Sequence, residues 1–189
     1  MKNTFKQHPD TPPLFNLTIP KGKVRGVLSC PHAGEMTPKD FKPFLVNDPW
    51  LLGQDIDYRV NELVDIDALV DEGIAVIKAN IQRTCVDLNR DPTLTLLAWK
   101  YNSMGFKLVD NEPTVEQSKD LIASFYQPYF ETLKSLINNL ESEYPGSRIP
   151  CVDLHSMPSK PTEYHLLKNP NQKQERPDFC VSDYHGATC

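Results

Sequence analysis

No stretch of the 189-residue sequence approaches the roughly 18–20 consecutive apolar residues that a membrane-spanning helix requires. No run of Lys or Arg is long enough to track a phosphate backbone, and the formal net charge of −5 has the wrong sign for one. Neither a membrane nor a nucleic acid is therefore an expected partner. The opening residues, MKNTFKQHPD, lack the apolar centre of an export signal. The five cysteines are odd in number and include no C-x-x-C pair, which removes the simplest disulfide and zinc-finger frameworks. Cys30, Cys85 and Cys151 each sit inside or at the end of a short apolar run. They are expected to be free buried thiols in a reducing compartment, which favours the cytoplasm. Internal repeats and low-complexity segments are also missing.

What is present fits an ordinary globular chain, with 39% hydrophobic and 24% charged residues. The length suits one domain and is short for two. Seventeen prolines punctuate an alternation of strands and helices. Residues 1–22 read as an irregular N-terminal segment, and 23–189 as a single domain. Val24 to Ser29 is a candidate buried strand that stops at Cys30-Pro31, and Thr37-Pro38 offers a helix start. Asp57 to Val70 has helical spacing and ends at Gly73. Ile74 to Ile77 is a second strand, with Ile81 to Leu88 continuing as an extended segment. Thr114-Val115-Glu116-Gln117 matches a capping box. After it, apolar residues recur at Ile122, Phe125, Tyr129, Leu133, Leu136 and Leu140, a helical stripe that Pro128 should kink or divide into two abutting helices and Pro145-Gly146 should end. Ile149 to Leu154 and Phe179 to Val181 are the remaining strand candidates. The alternation predicts an α/β layered domain.

Two stretches carry chemistry. Pro31-His32-Ala33-Gly34-Glu35 places an imidazole and a carboxylate three residues apart in the loop after the first strand. In a helical turn these would face the same way and could share a metal ion, with His155 of Asp153-Leu154-His155-Ser156 as a third ligand from a distant strand end. Such a set leaves a coordination place for water. The H-x-x-E spacing also arises by chance, and a lone His155 could be a hydrogen-bonded strand-end histidine. Asp183-x-His185 is a weaker alternative pair, and His8 and His165 have no ligand partner at suitable spacing. The second stretch, Arg83-Thr84-Cys85-Val86-Asp87-Leu88-Asn89-Arg90, concentrates two arginines and an asparagine suited to gripping a carboxylate or steadying an oxyanion. Turn chemistry alone also accounts for Asn89-Arg90-Asp91-Pro92.

Taken together and in order, PHAGE (31–35), R-x-x-x-D-L-N-R (83–90) and D-L-H-S-M-P (153–158) resemble the N-formylglutamate amidohydrolase family. DFCVSDYHG (178–186) is similar to a later block of that family, with Ser182 in place of its usual glycine. The resemblance runs from about residue 24 onward. It implies a zinc-carboxypeptidase-like fold, a mixed central sheet flanked by helices, and kinship with aspartoacylases. It implies one zinc ion per chain on His32, Glu35 and His155, with Arg83 at the scissile carbonyl and its oxyanion. Asn89 and Arg90 would bind the substrate's α-carboxylate, and Asp87 would accept a hydrogen bond from a ligating histidine, His32 first among them. The implied substrate is a small N-acyl acidic amino acid, N-formyl-L-glutamate foremost, cleaved by activated water to formate and L-glutamate. A carboxypeptidase or peptidoglycan amidase using the same metal site is the alternative.

The sequence departs from that pattern in two places. Ala33 stands where the family usually has serine. The late strand that carries the general-base glutamate in zinc peptidases of this type falls beyond Cys189, so the C-terminal strands are expected to be lacking. Glu163 and Glu175 have no spacing that marks either as a substitute. A domain that binds zinc but hydrolyses slowly is therefore a further expectation, and an uncovered sheet edge would favour self-association.

Overall fold

The computed structural model of the protein describes residues 12–173, 175 and 180. The apolar run after Arg25 forms β2 (Gly26–Cys30), buried along its whole length. It pairs in parallel with β3 (Ile74–Ala79), Gly26 opposite Ile74 and Cys30 opposite Lys78. On its other side β2 takes β4 (Cys151–Asp153), also parallel, Val27 opposite Cys151 and Ser29 opposite Asp153. β1 (Phe15–Thr18) closes the far side of β3 in antiparallel register, giving a mixed sheet of order β1-β3-β2-β4. β1 corrects the expectation that residues 1–22 are irregular. Its FNLT sequence alternates apolar and polar residues, but over only four positions, too short a run to announce a strand by itself. It is recruited by pairing with β3 and by Phe15, whose ring meets Tyr129 edge-on at 5.7 Å.

Strand side chains point alternately to the two faces. Val27, Ile77 and Ala79 enter one core with Phe125, Tyr129 and Leu140, whereas Leu28, Cys30 and Val76 enter a second with Val60, Ile66 and Leu69. Helices therefore cover both faces, and the fold class is α/β as the alternation predicts. The second face is covered by α2 (Ile66–Asp71), which Asp65 caps by accepting from the Ala68 N–H. Gly73, at φ 93°, turns the chain into β3. The single helix expected from Asp57 to Val70 is instead a 3-10 turn at Val60–Glu62 followed by α2, because Asp65 starts a new helix with its own cap. A short α1 (Pro49–Leu52), capped by Asp48, precedes them. The expected helix at Thr37-Pro38 is only a 3-10 turn, Lys39–Phe41, and the Thr37 hydroxyl donates to Gln82 Oε1 at 3.3 Å instead of capping it.

The first face is covered by α3 (Val115–Leu121), a π-turn at Ile122–Tyr126, and α4 (Gln127–Glu143). The Thr114–Gln117 capping box is formed in both directions. Pro128 has no N–H for the helical ladder, and the wider π-turn immediately before it absorbs the register change between α3 and α4. Tyr129 and Leu140 are fully buried, and the Tyr129 hydroxyl lies 2.8 Å from Ser29 Oγ of β2. After β4, a one-and-a-half-turn α5 (Glu163–Lys168) is capped by Thr162, whose hydroxyl also donates to the Ser103 carbonyl.

Residues 81–88 are not extended, in contrast to the expectation. The N–H groups of Cys85 and Val86 both reach the Gln82 carbonyl, and the chain coils so that Cys85, Val86 and Leu88 are buried. Cys30 and Cys85 are buried free thiols as expected, but Cys151 is exposed because both faces of the edge strand β4 are open. Phe179 to Val181 and the 178–186 block lie outside the described residues, apart from Cys180, which is an exposed free thiol. Among the described residues no helix is long and apolar enough to cross a membrane.

Candidate metal centre and anion clamp

All three parallel strands point their carboxyl ends to the same edge of the sheet. The chain leaves β2, crosses to β3 on one side and then returns to β4 on the other, so the connections diverge beside β2. Such divergence opens a crevice beyond the strand ends. His32 lies two residues beyond β2, Arg83 four beyond β3, and His155 two beyond β4.

His32 and His155, 123 positions apart in sequence, meet with ring centroids 4.7 Å apart. Asp57 joins them, and ligand atoms of His32, Asp57 and His155 all lie within 4.8 Å of one another. Oδ2 of Asp57 is 2.9 Å from His155 Nδ1 and 3.8 Å from His32 Nδ1. The Asp57 backbone N–H donates to the His32 carbonyl at 3.1 Å, and fully buried Val60 anchors the turn that follows. Asp57 was not expected as a site residue. No local pattern marks it, since its partners lie 25 residues before and 98 residues after it.

Glu35 is not brought to this cluster, which corrects the expected geometry of H-x-x-E. It is exposed. A helical turn would have aligned it with His32, but the chain from Gly34 to Met36 runs extended along the continuation of β3. The Met36 N–H donates to the Asn80 carbonyl at 2.8 Å, and the Gln82 N–H donates to the Met36 carbonyl at 2.9 Å. A side chain at position 34 would put its Cβ 2.1 Å from the Ile81 carbonyl oxygen, so glycine permits this approach.

Around the triad, Asp87 organises the polar groups. His32 Nε2–H donates to Asp87 Oδ1 at 2.7 Å, and the Asn89 N–H donates to the same oxygen at 3.0 Å. On Oδ2 converge Trp99 Nε1–H at 2.6 Å, Arg90 Nε–H at 3.0 Å and Arg83 Nη2 at 3.4 Å. Burial opposes ionisation of Asp87, but the His32 hydrogen bond, the Arg83 charge and the Trp99 indole outweigh it and hold the carboxyl well below the usual range. Burial lowers the His32 pKa despite the Asp87 bond, so its imidazole is neutral at pH 7. With Nε2–H committed to Asp87, His32 Nδ1 carries a free lone pair. That atom is buried and without a hydrogen-bond partner.

A neutral imidazole nitrogen, buried and unpartnered, facing a carboxylate oxygen and a second imidazole, is a donor set that fits a borderline divalent cation. Asp87 stands behind it as an orienting carboxylate of the kind that fixes a ligating histidine's tautomer. Among the described residues Arg83 is the other group with an unpartnered buried nitrogen, Nε, while its Nη1 lies 3.9 Å from Asp57 Oδ1. Asn89 reaches the cluster through Nδ2, 3.4 Å from His155 Nε2. Arg90 is partly exposed, and its carbonyl accepts from the Tyr126 hydroxyl at 3.0 Å, tying this loop to the π-turn. Trp99 was also missed by sequence reading. Both guanidinium carbons lie over its ring, Arg83 at 4.6 Å and Arg90 at 5.0 Å from the centroid.

Fold and site together define an α/β protein with a histidine–aspartate cluster and two arginines at the carboxyl edge of its parallel strands. A model of the N-formylglutamate amidohydrolase family matches residues 24–189, and the chain belongs to that family of amidohydrolases. A crystal structure of N-formylglutamate amidohydrolase from Ralstonia eutropha is 25% identical and superposes with a TM-score of 0.75, over 93% of this chain and 67% of that one. A gene product from Agrobacterium tumefaciens is 15% identical with a TM-score of 0.54, over 76% of this chain and 56% of that one, a likeness of fold alone. No curated protein matches the chain.

Proposed function

We propose that this protein hydrolyses the amide bond of N-formyl-L-glutamate, or a closely similar N-acyl acidic amino acid, at a mononuclear metal centre with zinc as its ion. The observation that carries the reading is the buried, unpartnered Nδ1 of His32, 3.8 Å from Asp57 Oδ2 and beside His155. His32, Asp57 and His155 would hold the ion, with Asp57 in the place expected of Glu35. A bound zinc ion would activate water and polarise the amide carbonyl.

The chain's own groups supply the rest. Arg83 would donate to an oxygen that gains negative charge beside the triad, a role supported by its Nη1 lying 3.9 Å from Asp57 Oδ1. Arg90 offers a planar fork and Asn89 an amide for the substrate's α-carboxylate. Asp87 keeps the His32 proton on Nε2 and aligns both arginines. Charge balance favours an acidic substrate: Asp57 and Asp87 offset Arg83 and Arg90, so a divalent cation leaves the site with two positive charges. Buried free thiols at Cys30 and Cys85 fit a reducing, cytoplasmic setting. Self-association through the open edge of β4 is part of the same proposal, with light scattering as its measure.

A second reading, a domain that binds the metal and turns substrate over poorly, is favoured by one observation. Asp57 and Asp87 are already committed to histidines and arginines, so neither is free to shuttle a proton to the leaving nitrogen. Metal analysis with a formate-release assay separates the two. Stoichiometric zinc with turnover supports the enzyme, zinc without turnover supports the binding domain, and a chain that takes up no metal overturns both.

A further inference from the structure

We infer that Trp99 is a positioning residue that holds Arg83 and Arg90 side by side as one anion clamp, Arg83 for the scissile oxygen and Arg90 for the substrate's carboxylate, a role that rests on the proposed reading of this site. Two guanidiniums repel; both approach the one carboxylate of Asp87, and Arg83 alone also nears Asp57, at 3.9 Å. The ring of Trp99 adds an attraction that both share. Both guanidinium carbons stand over it, at 4.6 Å for Arg83 and 5.0 Å for Arg90, within the range in which an aromatic face attracts a cation. The indole N–H meanwhile donates to Asp87 Oδ2 at 2.6 Å, the oxygen that both arginines approach. One side chain thus supplies a ring face and a donor in fixed relation, a combination that phenylalanine halves and leucine lacks.

The backbone explains how a residue nine positions past Arg90 reaches back to it. The Leu97 N–H donates to the Cys85 carbonyl at 3.1 Å, and the Asp87 N–H donates to the Thr95 carbonyl at 2.9 Å. These bonds fasten residues 95–97 against 85–87, and Leu97, at φ 46° and fully buried, turns the chain so that Trp99 folds over the arginines. Arg90, with 41% of its side chain exposed, would otherwise sample many rotamers in water. Stacking reduces that freedom before any substrate arrives, which favours binding.

The test uses glutarate, a dicarboxylate without a scissile amide. The chain has two tryptophans, and Trp50 lies exposed on α1, outside the site. In a Trp50→Phe background, the emission of Trp99 should change and saturate as glutarate is added. Trp99→Leu should weaken glutarate binding by calorimetry about tenfold, and Trp99→Phe by a smaller factor. KM for N-formylglutamate should rise in step as Arg90 loses its support, and kcat should fall as Arg83 loses its own, with metal content moving little. Unchanged affinity and KM in Trp99→Leu would overturn the inference while leaving the enzyme reading intact. A wild-type chain that releases no formate but binds glutarate, weakened by Trp99→Leu, would overturn the enzyme reading and keep the clamp. A wild-type chain that binds no glutarate overturns the clamp. If Trp99→Leu does not fold, Trp99→Phe decides alone, and a loss of thermal stability with KM unchanged marks Trp99 as merely structural.

Discussion

His32 and Asp87 are joined by a 2.7 Å hydrogen bond from Nε2–H to Oδ1, and this one contact turns the other nitrogen of His32 toward Asp57 and His155. The tautomer of a histidine that begins a loop is therefore set by a carboxylate 55 residues away. Consequences for metal binding, catalysis and pH response follow from that bond and the groups around it.

The ligand set is tested by metal content after substitution. His32→Ala, Asp57→Ala and His155→Ala should each abolish stoichiometric zinc uptake, because two remaining ligands hold an ion poorly. Asp87→Ala should lower zinc affinity about 10- to 100-fold without removing the site. Glu35→Ala should leave uptake unchanged. Zinc lost from Glu35→Ala but retained in Asp57→Ala would restore the H-x-x-E assignment.

The two arginines should separate in steady-state kinetics. Arg83→Lys should lower kcat about 100- to 1,000-fold, the size expected when a donor to a developing oxyanion is displaced. Arg90→Lys should act mainly on KM, raising it about tenfold or more, since an ammonium cannot reproduce a planar fork. Equal effects of both on kcat alone would argue against a carboxylate role for Arg90.

The pH dependence of stability has a definite sign. His32 has a lowered pKa in the fold, so the unfolded chain takes up a proton there that the folded chain refuses. That contribution is full above about pH 6.5 and is lost as pH falls from there through the folded value. Asp87, held well below the usual carboxylate range, stabilises the fold above about pH 4 and loses that contribution further into acid. Thermal midpoints of the metal-free protein should decline in these two windows. Asp87→Asn should remove the lower one, and an unaltered profile in that variant would count against the assignment.

Thiol reactivity should follow burial. Cys30, pushed up to about 11 by burial, and Cys85, raised further by the same cause, should resist an aromatic disulfide reagent in the folded protein at pH 8. Cys180, exposed, should react promptly, and urea should release the two buried thiols. Rapid modification of Cys85 under native conditions would contradict the packing of the 81–88 loop.

Gly34→Ala tests whether the site loop depends on close backbone approach. Its Cβ would meet the Ile81 carbonyl, part of the rigid continuation of β3, so the loop must shift. A stability loss of about 1–3 kcal/mol is expected, together with weakened metal uptake. Wild-type stability and uptake would show that the loop can give way without cost.

The residues that local physics controls are legible in the sequence. Thr114 and Gln117 announce a helix because cap and box lie within one turn of each other, and Gly73 ends another because only glycine readily takes φ 93° there. Buried strands read as apolar runs at 24–29 and 74–77, against observed bounds of 26–30 and 74–79, since pairing in parallel between two helical layers leaves no polar alternation. The family resemblance carried by PHAGE, R-x-x-x-DLNR and DLHS singled out His32, Arg83, Asp87, Asn89, Arg90 and His155, which the structure brings together. What tertiary structure alone decided was direction and distance. Glu35 faces away because extended pairing with Asn80 and Gln82 replaced a helical turn, and Asp57 and Trp99 reach the site only through backbone bonds to His32 and through the 95–97 segment fastened to 85–87. A side chain's partner 25 to 98 residues away is fixed by how strands and loops pack, and no spacing in the chain encodes that vector.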